Sequence, residues 1–235
     1  MQLFYNSELK STDKNFYFDK KESRHINKVL RKKIGDIIFV TNGFGYLFEG
    51  EIKTESHLEC KVKITNVKYS KPNDYKIHLA VSPTKLNNRY EWFIEKASEI
   101  GVDFITPIIC KHSERKIIKE HRYKKVIAAA CKQSLKTHFP ILESTISFND
   151  FVKKDLFNNK YIAHCKKTVK SSLNKIITGE KNILIMIGPE GDFSSDEIDL
   201  AEKLGFKSVS LGSSRLRTET AAVVACHTIN LRNEK

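Results

Sequence analysis

Short apolar runs with a two-residue alternation dominate the first seventy positions. Phe16-Tyr17-Phe18, Ile37 to Val40, Tyr46 to Ile52 and Cys60 to Tyr69 each read as a strand, and TNGFG (Thr41–Gly45) between two of them is a hairpin-turn signal. One helical stretch interrupts these strands, KKESRHINKVLRKK from Lys20 to Lys33. Its Ile26, Val29 and Leu30 fall on one face, and Lys21, Arg24, Lys28 and Lys32, joined by His25 and Arg31, fall on another. The pattern predicts a small β-barrel over residues 1–72, bounded by the Pro- and Asn-containing YSKPND at Tyr69–Asp74.

From Tyr75 onward the period switches back and forth. Strands are expected over Ile77–Val81, Phe104–Cys110, Tyr161–Cys165, Asn182–Ile187 and Ser208–Leu211. Helices are expected between them, over Tyr90–Ile100, Tyr123–Ser134, Ser171–Ile177 and Ser194–Leu204, with a last helix after Thr218. Such alternation predicts an α/β domain over residues 73–235, a mostly parallel sheet with helices on both faces. Ligands in such sheets sit beyond the carboxyl ends of the strands, which directs attention to the loops after Cys165, Ile187 and Leu211.

Composition narrows the function classes. The longest wholly apolar run, Ile183 to Ile187, is far too short to cross a bilayer, and MQLFYNSELK lacks the plan of a signal peptide. Five widely spaced cysteines with no CxxC fit a reducing cytoplasm, and the eight histidines show no metal-ligand spacing. No metal and no membrane partner is therefore expected. The charge is the loudest signal, 41 Lys+Arg against 28 Asp+Glu, formally +13. A polyanionic partner and a merely lysine-rich composition explain that total equally well. The placement of charge favours the polyanion: like charges three and four apart repel, so a single-sign stripe from Lys21 to Lys32 suits phosphate contacts better than plain solvation.

Two stretches could carry chemistry. In IGPEGDFSSDEI, Ile187 to Ile198, two glycines allow close backbone approach to a ligand, and Ser194 with Glu197 forms a capping box for the next helix. The loop is neither GxGxxG nor a P-loop, and a plain strand-to-helix turn explains it as well. In LGSSRLRTETAAVVACHTIN, Leu211 to Asn230, Thr218 or Thr220 can cap the last helix and Glu219 suits its positive end, but Arg215 and Arg217 do not. The two arginines need partners elsewhere. His164, at the end of a strand, suits both a ligand cleft and a core position.

Taken together, IGPEGDFSSDEI and the later LRTETAA resemble the C-terminal half of the bacterial small-subunit (16S) rRNA uridine-N3 methyltransferase family, within the SPOUT superfamily of knotted methyltransferases. HINKVLRKKIGD and NGFGYLFEGEI resemble that family's N-terminal PUA-like barrel, and KLNNRYEWFIEKASEIGVDFITPIICKHSER with AAACKQSLKTHFP resembles the first half of its catalytic domain. The chain departs from the family at Asp192, where a second glycine is usual, at Ser214 and Arg215, where Arg-Ile is usual, and at Lys132, where an acid is usual.

The resemblance implies a trefoil knot, a homodimer, and S-adenosylmethionine held by His164, Ile187, Gly188, Glu190, Gly191, Leu211, Gly212, Leu216, Thr218, Thr220 and Ala221. It implies methylation of N3 of a uridine in 16S rRNA of the small ribosomal subunit, with Arg217, Glu190 and Glu219 as catalytic groups. Arg24, Lys28, Arg31, Lys32, Lys85, Arg89 and Lys136 are the expected RNA contacts. Two other readings stay open: a non-catalytic RNA-binding or ribosome-assembly factor with the same fold, and a SPOUT enzyme acting on another nucleotide.

Overall fold

A computed structural model describes residues 1–234 apart from 57, 155, 167–169 and 180. The chain forms two compact units, one of residues 1–72 with 131–139 and the other of residues 73–130 with 140–235.

In the first unit the strands β1 (Leu3–Tyr5), β2 (Asn15–Tyr17), β3 (Ile37–Thr41), β4 (Tyr46–Ile52) and β5 (Lys61–Tyr69) form a sheet of order β1-β3-β4-β5-β2. β3, β4, β5 and β2 pair antiparallel, and β1 adds in parallel to β3. Alternate residues point to one side, so Phe4, Phe16, Phe18, Ile38, Val40, Phe48, Ile52 and Val62 share one core.

The basic helix is shorter than its sequence pattern suggests. Helix α1 covers Lys20–Arg24, capped by the Asp19 carboxylate, which accepts from Glu22 N at 2.7 Å. A π-turn over His25–Val29 follows, closed by Leu30 N donating to the His25 carbonyl, and Arg31 turns left-handed at φ 53°. The wider turn rotates the register, so Ile26 is buried and Leu30 packs on the core, but Val29 is 68% exposed. The expectation that Val29 belongs to the apolar face is overturned. Lys21, Arg24 and Lys28 remain exposed, whereas Arg31 and Lys32 lie past the helical turn and do not continue the stripe.

The second unit is built on strands β6 (Lys76–Val81), β7 (Phe104–Ile109), β8 (Ile141–Leu142), β9 (Ile146–Ser147), β10 (Asn159–Ala163), β11 (Ser171–Ser172), β12 (Asn182–Ile187) and β13 (Lys207–Ser210). Their order is β11-β13-β10-β12-β6-β7-β8, with β9 also on β7, and every pairing is parallel. Its helices are α2 (Asn87–Ile100), α3 (Glu120–Gln133, which runs on into the first unit), α4 (Phe148–Phe151), α5 (Leu173–Ile176), α6 (Ser195–Lys203) and α7 (Thr218–Asn233). The α/β expectation holds. The helix expected over Ser171–Ile177 does not: two residues join the sheet as β11 and only four are helical.

Side-chain alternation along β12 sorts the two faces. Leu184 and Met186 join Ala80, Ile108 and Ile162 beneath Phe148, Phe151, Phe193, Ile198 and Phe206. α7 packs on α2, β6 and β12, burying Ala222, Ala225, Cys226 and Ile229. Among the described residues no helix is long and apolar enough to cross a membrane.

Candidate active site

β13, β10 and β12 lie side by side and run the same way, so the three loops singled out in the sequence leave the sheet at one edge. They enclose a cleft of about 700 Å³ together with the start of α7. That volume falls within the range of small-molecule sites. Ten of the expected residues line it: His164, Ile187, Gly188, Glu190, Leu211, Gly212, Leu216, Arg217, Thr218 and Ala221. Residues 167–169 of the first loop lie outside the described residues.

The loops are tied to one another by specific bonds. Thr218 Oγ1 donates to the Gly188 carbonyl at 3.0 Å, fixing the start of α7 to the loop after β12. Neither Thr218 nor Thr220 caps α7, as the sequence suggested; Arg217 holds the cap position without a side-chain bond, because the Thr218 hydroxyl is committed to Gly188. Ser194 and Glu197 do form the expected capping box, and Glu197 also accepts from Lys111 N at 2.8 Å.

Asp192 supplies a second tie. Its backbone is left-handed, φ 62°, a conformation that favours glycine and that Asp tolerates. Its carboxylate accepts from Cys165 N and Phe193 N, each at 2.8 Å, and so binds the loop after β10 to the loop after β12. Lys170 Nζ closes the first loop on itself, donating to the carbonyls of His164 at 2.6 Å and Lys166 at 2.7 Å. No periodicity in the sequence pointed to Lys170. Asp192 was visible only as a departure from a glycine.

Two buried acceptors in the cleft lack partners. Ser208 Oγ donates to Glu202 at 2.6 Å, so the hydroxyl accepts from His164 Nε2 at 2.9 Å. Burial, with Lys170 nearby, holds the His164 ring below the usual histidine pKa and therefore neutral at pH 7. Its Nδ1 then carries a lone pair, buried and unpaired. Glu190 is held by Lys85 N, which donates to Oε1 at 3.0 Å, while Oε2 is buried without a partner. Buried polar atoms are costly to leave unpaired, and these two belong to residues that line the cleft, where a bound ligand could supply donors.

Not every expected residue reaches the cleft. Gly191, Thr220 and Glu219 do not line it. Glu219 is turned toward α2, with Oε1 at 3.8 Å from Arg89 Nε and its side chain 8% exposed. Its Oε2 is buried without a partner, and the exposed Arg217 side chain has no ion pair among the described residues. Arg89, expected on RNA, is engaged by Glu219, and the Lys85 ammonium is paired with Glu114 at 2.8 Å. Gly188 also serves differently than the sequence suggested. A Cβ there would meet the Phe193 ring at 3.0 Å rather than fill the cleft, and at Gly212 it would meet open space.

The apolar lining from Ile187, Leu211, Leu216 and Ala221 and the two orphaned acceptors fit an adenosine-bearing ligand. Comparison with known proteins gives the same direction. The RNA methyltransferase domain profile matches residues 71–230, and the RNA methyltransferase PUA domain profile matches residues 18–65. The chain is 33% identical to ribosomal RNA small subunit methyltransferase E of Buchnera aphidicola over 89% of this chain and 85% of that one. A crystal structure described as a probable rRNA-methyltransferase from Porphyromonas gingivalis superposes with a TM-score of 0.92 at 36% identity, covering 99% of this chain and 98% of that one. Ribosomal RNA small subunit methyltransferase E from Neisseria gonorrhoeae, solved bound to S-adenosyl methionine, gives 0.83 at 28% identity, covering 96% and 95%. A two-unit chain whose three convergent loops carry GPEG and LRTETA thus belongs to the RNA methyltransferase family of the small-subunit rRNA methyltransferases E.

Proposed function

We propose that the chain methylates N3 of a uridine in 16S rRNA of the small ribosomal subunit, with S-adenosylmethionine as donor. The observation that carries this reading is the cleft itself, closed by the loops after β10, β12 and β13 and supplied with two unpaired buried acceptors. When bound, the cofactor supplies a methyl group on a positively charged sulfur. Ile187, Leu211, Leu216 and Ala221 offer apolar surface to its adenine, and His164 Nδ1 and Glu190 Oε2 accept from its donors.

Uracil N3 becomes nucleophilic only as its proton passes to solvent at the open rim of the cleft; negative charge then spreads onto O2 and O4, and N3 takes the methyl group as the carbon–sulfur bond breaks. Arg217, exposed at the cleft rim without an ion pair among the described residues, stabilises that charge. Glu219, paired with Arg89, braces α7 against α2 rather than acting on the base. Arg24 and Lys28, exposed on one side of the first unit, contact phosphates.

The same reading assigns residues 1–72 to a PUA-like RNA-binding domain and 73–235 to a SPOUT methyltransferase domain with the last helix threaded through a trefoil knot, in a cytoplasmic homodimer. The profile match over residues 18–65 supports the first assignment. For the dimer, α7 still offers half-buried Val223 and Val224 and an exposed Leu231 outside its packed face. Incubation with methyl-labelled cofactor and either free 16S rRNA or assembled small subunits, followed by nucleoside digestion, tests the reaction. The expected product is 3-methyluridine. A label in another nucleoside would overturn the uridine assignment, and no label in either substrate would overturn the activity.

A further inference from the structure

We propose that Phe44, at the tip of the β3–β4 hairpin, is a stacking platform for an unpaired RNA base. The inference rests on the RNA-methyltransferase reading for its partner, not for its geometry. Phe44 is 65% exposed, more than any other Phe, Tyr or Trp among the described residues. An exposed phenyl ring at a hairpin tip is ordinary when the tip is loose, but this one is clamped. Gly45 N donates to the Thr137 carbonyl and Phe139 N to the Gly43 carbonyl, both at 2.9 Å, and Phe44 itself bridges antiparallel to His138. Asn42 Oδ1 accepts from Phe44 N at 2.9 Å, while Asn42 Nδ2 donates to the Leu9 carbonyl at 3.1 Å. Gly45 sits at φ 91°, and a Cβ there would stand 2.5 Å from the His138 ring, so the clamp also dictates the sequence of the turn. A rigid backbone thus holds an apolar ring in water, which disfavours the free protein and suits a partner with a flat apolar face.

The surroundings specify the chemistry of that partner. Tyr69, 55% exposed, lies beside the tip, its ring 4.9 Å from Tyr46 and 6.2 Å from His138. The segments that build this end, residues 41–47, 66–72 and 134–139, carry Lys68, Lys71 and Lys136 and no Asp or Glu. The first unit as a whole holds 16 Lys and Arg against 9 Asp and Glu. Aromatic rings among cations without carboxylates are how single-stranded nucleic acid is held: bases stack on the rings and phosphates meet the lysines. A second copy of this chain, itself strongly basic, is disfavoured at the same place.

The test uses the full-length protein without cofactor, a 12-nucleotide oligouridine RNA, and a blunt RNA duplex of the same length. Phe44→Ala should weaken oligouridine binding roughly 5- to 150-fold, the range of one lost base stack, and change duplex binding less than about twofold. Phe44→Tyr should stay within about threefold of the parent. The log–log salt slope should not move, because no charge is removed. The melting temperature should stay within about 2 °C, since the ring is mostly in water. Unchanged oligouridine affinity in Phe44→Ala, an equal loss on duplex and single strand, or a shift in sedimentation toward a different oligomer would each overturn the proposal. Methylation of rRNA is read separately, so loss of the enzymatic reading and loss of the platform give different outcomes.

Discussion

The carboxylate of Asp192 joins two of the three cleft loops, and its contribution can be separated from that of its backbone. Asp192 occupies a left-handed conformation at φ 62°, where glycine is more stable than a residue with a Cβ by about 1 kcal/mol. Against that cost stand two charge-assisted bonds of 2.8 Å to Cys165 N and Phe193 N. Such bonds contribute about 1.5–3 kcal/mol each when buried, and Asp192 is half-buried, so about 3 kcal/mol for the pair is appropriate. Asp192→Ala loses the bonds and keeps the strain, for a loss of about 3 kcal/mol. Asp192→Gly loses the bonds but relieves the strain, for a loss of about 2 kcal/mol. Asp192→Asn keeps one acceptor oxygen and should fall between the glycine variant and the parent. If the latched cleft is the form that binds, the glycine variant should bind S-adenosylhomocysteine up to about 30-fold more weakly. Urea denaturation and titration calorimetry on the same preparations give both numbers. The order parent, Asn, Gly, Ala is the decisive result. A glycine variant that is as stable as the parent and binds as tightly would refute the latch, since relief of backbone strain would then offset both hydrogen bonds in full.

Other expectations follow from the same geometry. Arg217→Ala should leave the fold and cofactor affinity intact while slowing single-turnover methyl transfer about a hundredfold or more, with little recovery in Arg217→Lys; a lower melting temperature with a normal rate would refute the catalytic role. Thr218→Val keeps the shape but orphans the buried Gly188 carbonyl, so it should cost about 1–3 kcal/mol in denaturation, and Thr218→Ser should recover most of it. His78 is buried and donates to Thr106, and burial pushes its pKa down to about 4. The folded state therefore binds this proton less readily than the unfolded one: its contribution is full above pH 6.5 and is lost as pH falls toward 4, by about 3 kcal/mol. Denaturation between pH 7 and 4 should show that slope in the parent and a flatter one in His78→Gln.

Much of the architecture was legible because it rests on local rules. Strands β3, β4, β6 and β12, the hairpin at TNGFG, and the capping box at Ser194 and Glu197 follow from alternation, turn residues and short-range hydrogen bonds. The three cleft loops were legible too, since a parallel sheet sends its strand ends to one edge. The pattern failed where a single residue changes the register. The π-turn after Arg24 rotates Val29 into solvent, and Ser171-Ser172 pair with β13 because a sheet edge was available there.

The directions of the site's side chains belonged to tertiary structure alone. Thr218 looked like a helix cap until the Gly188 carbonyl stood 3.0 Å away, and Glu219 looked like a partner for Arg217 until α2 brought Arg89 to it. The free lone pair of His164 depends on Ser208 and Glu202, tens of residues distant. Periodicity along a chain reports which face a residue occupies, because burial is shared by the whole face. Which group a polar side chain meets depends on contacts between segments far apart in sequence, and those exist only once the sheet has brought the loops together.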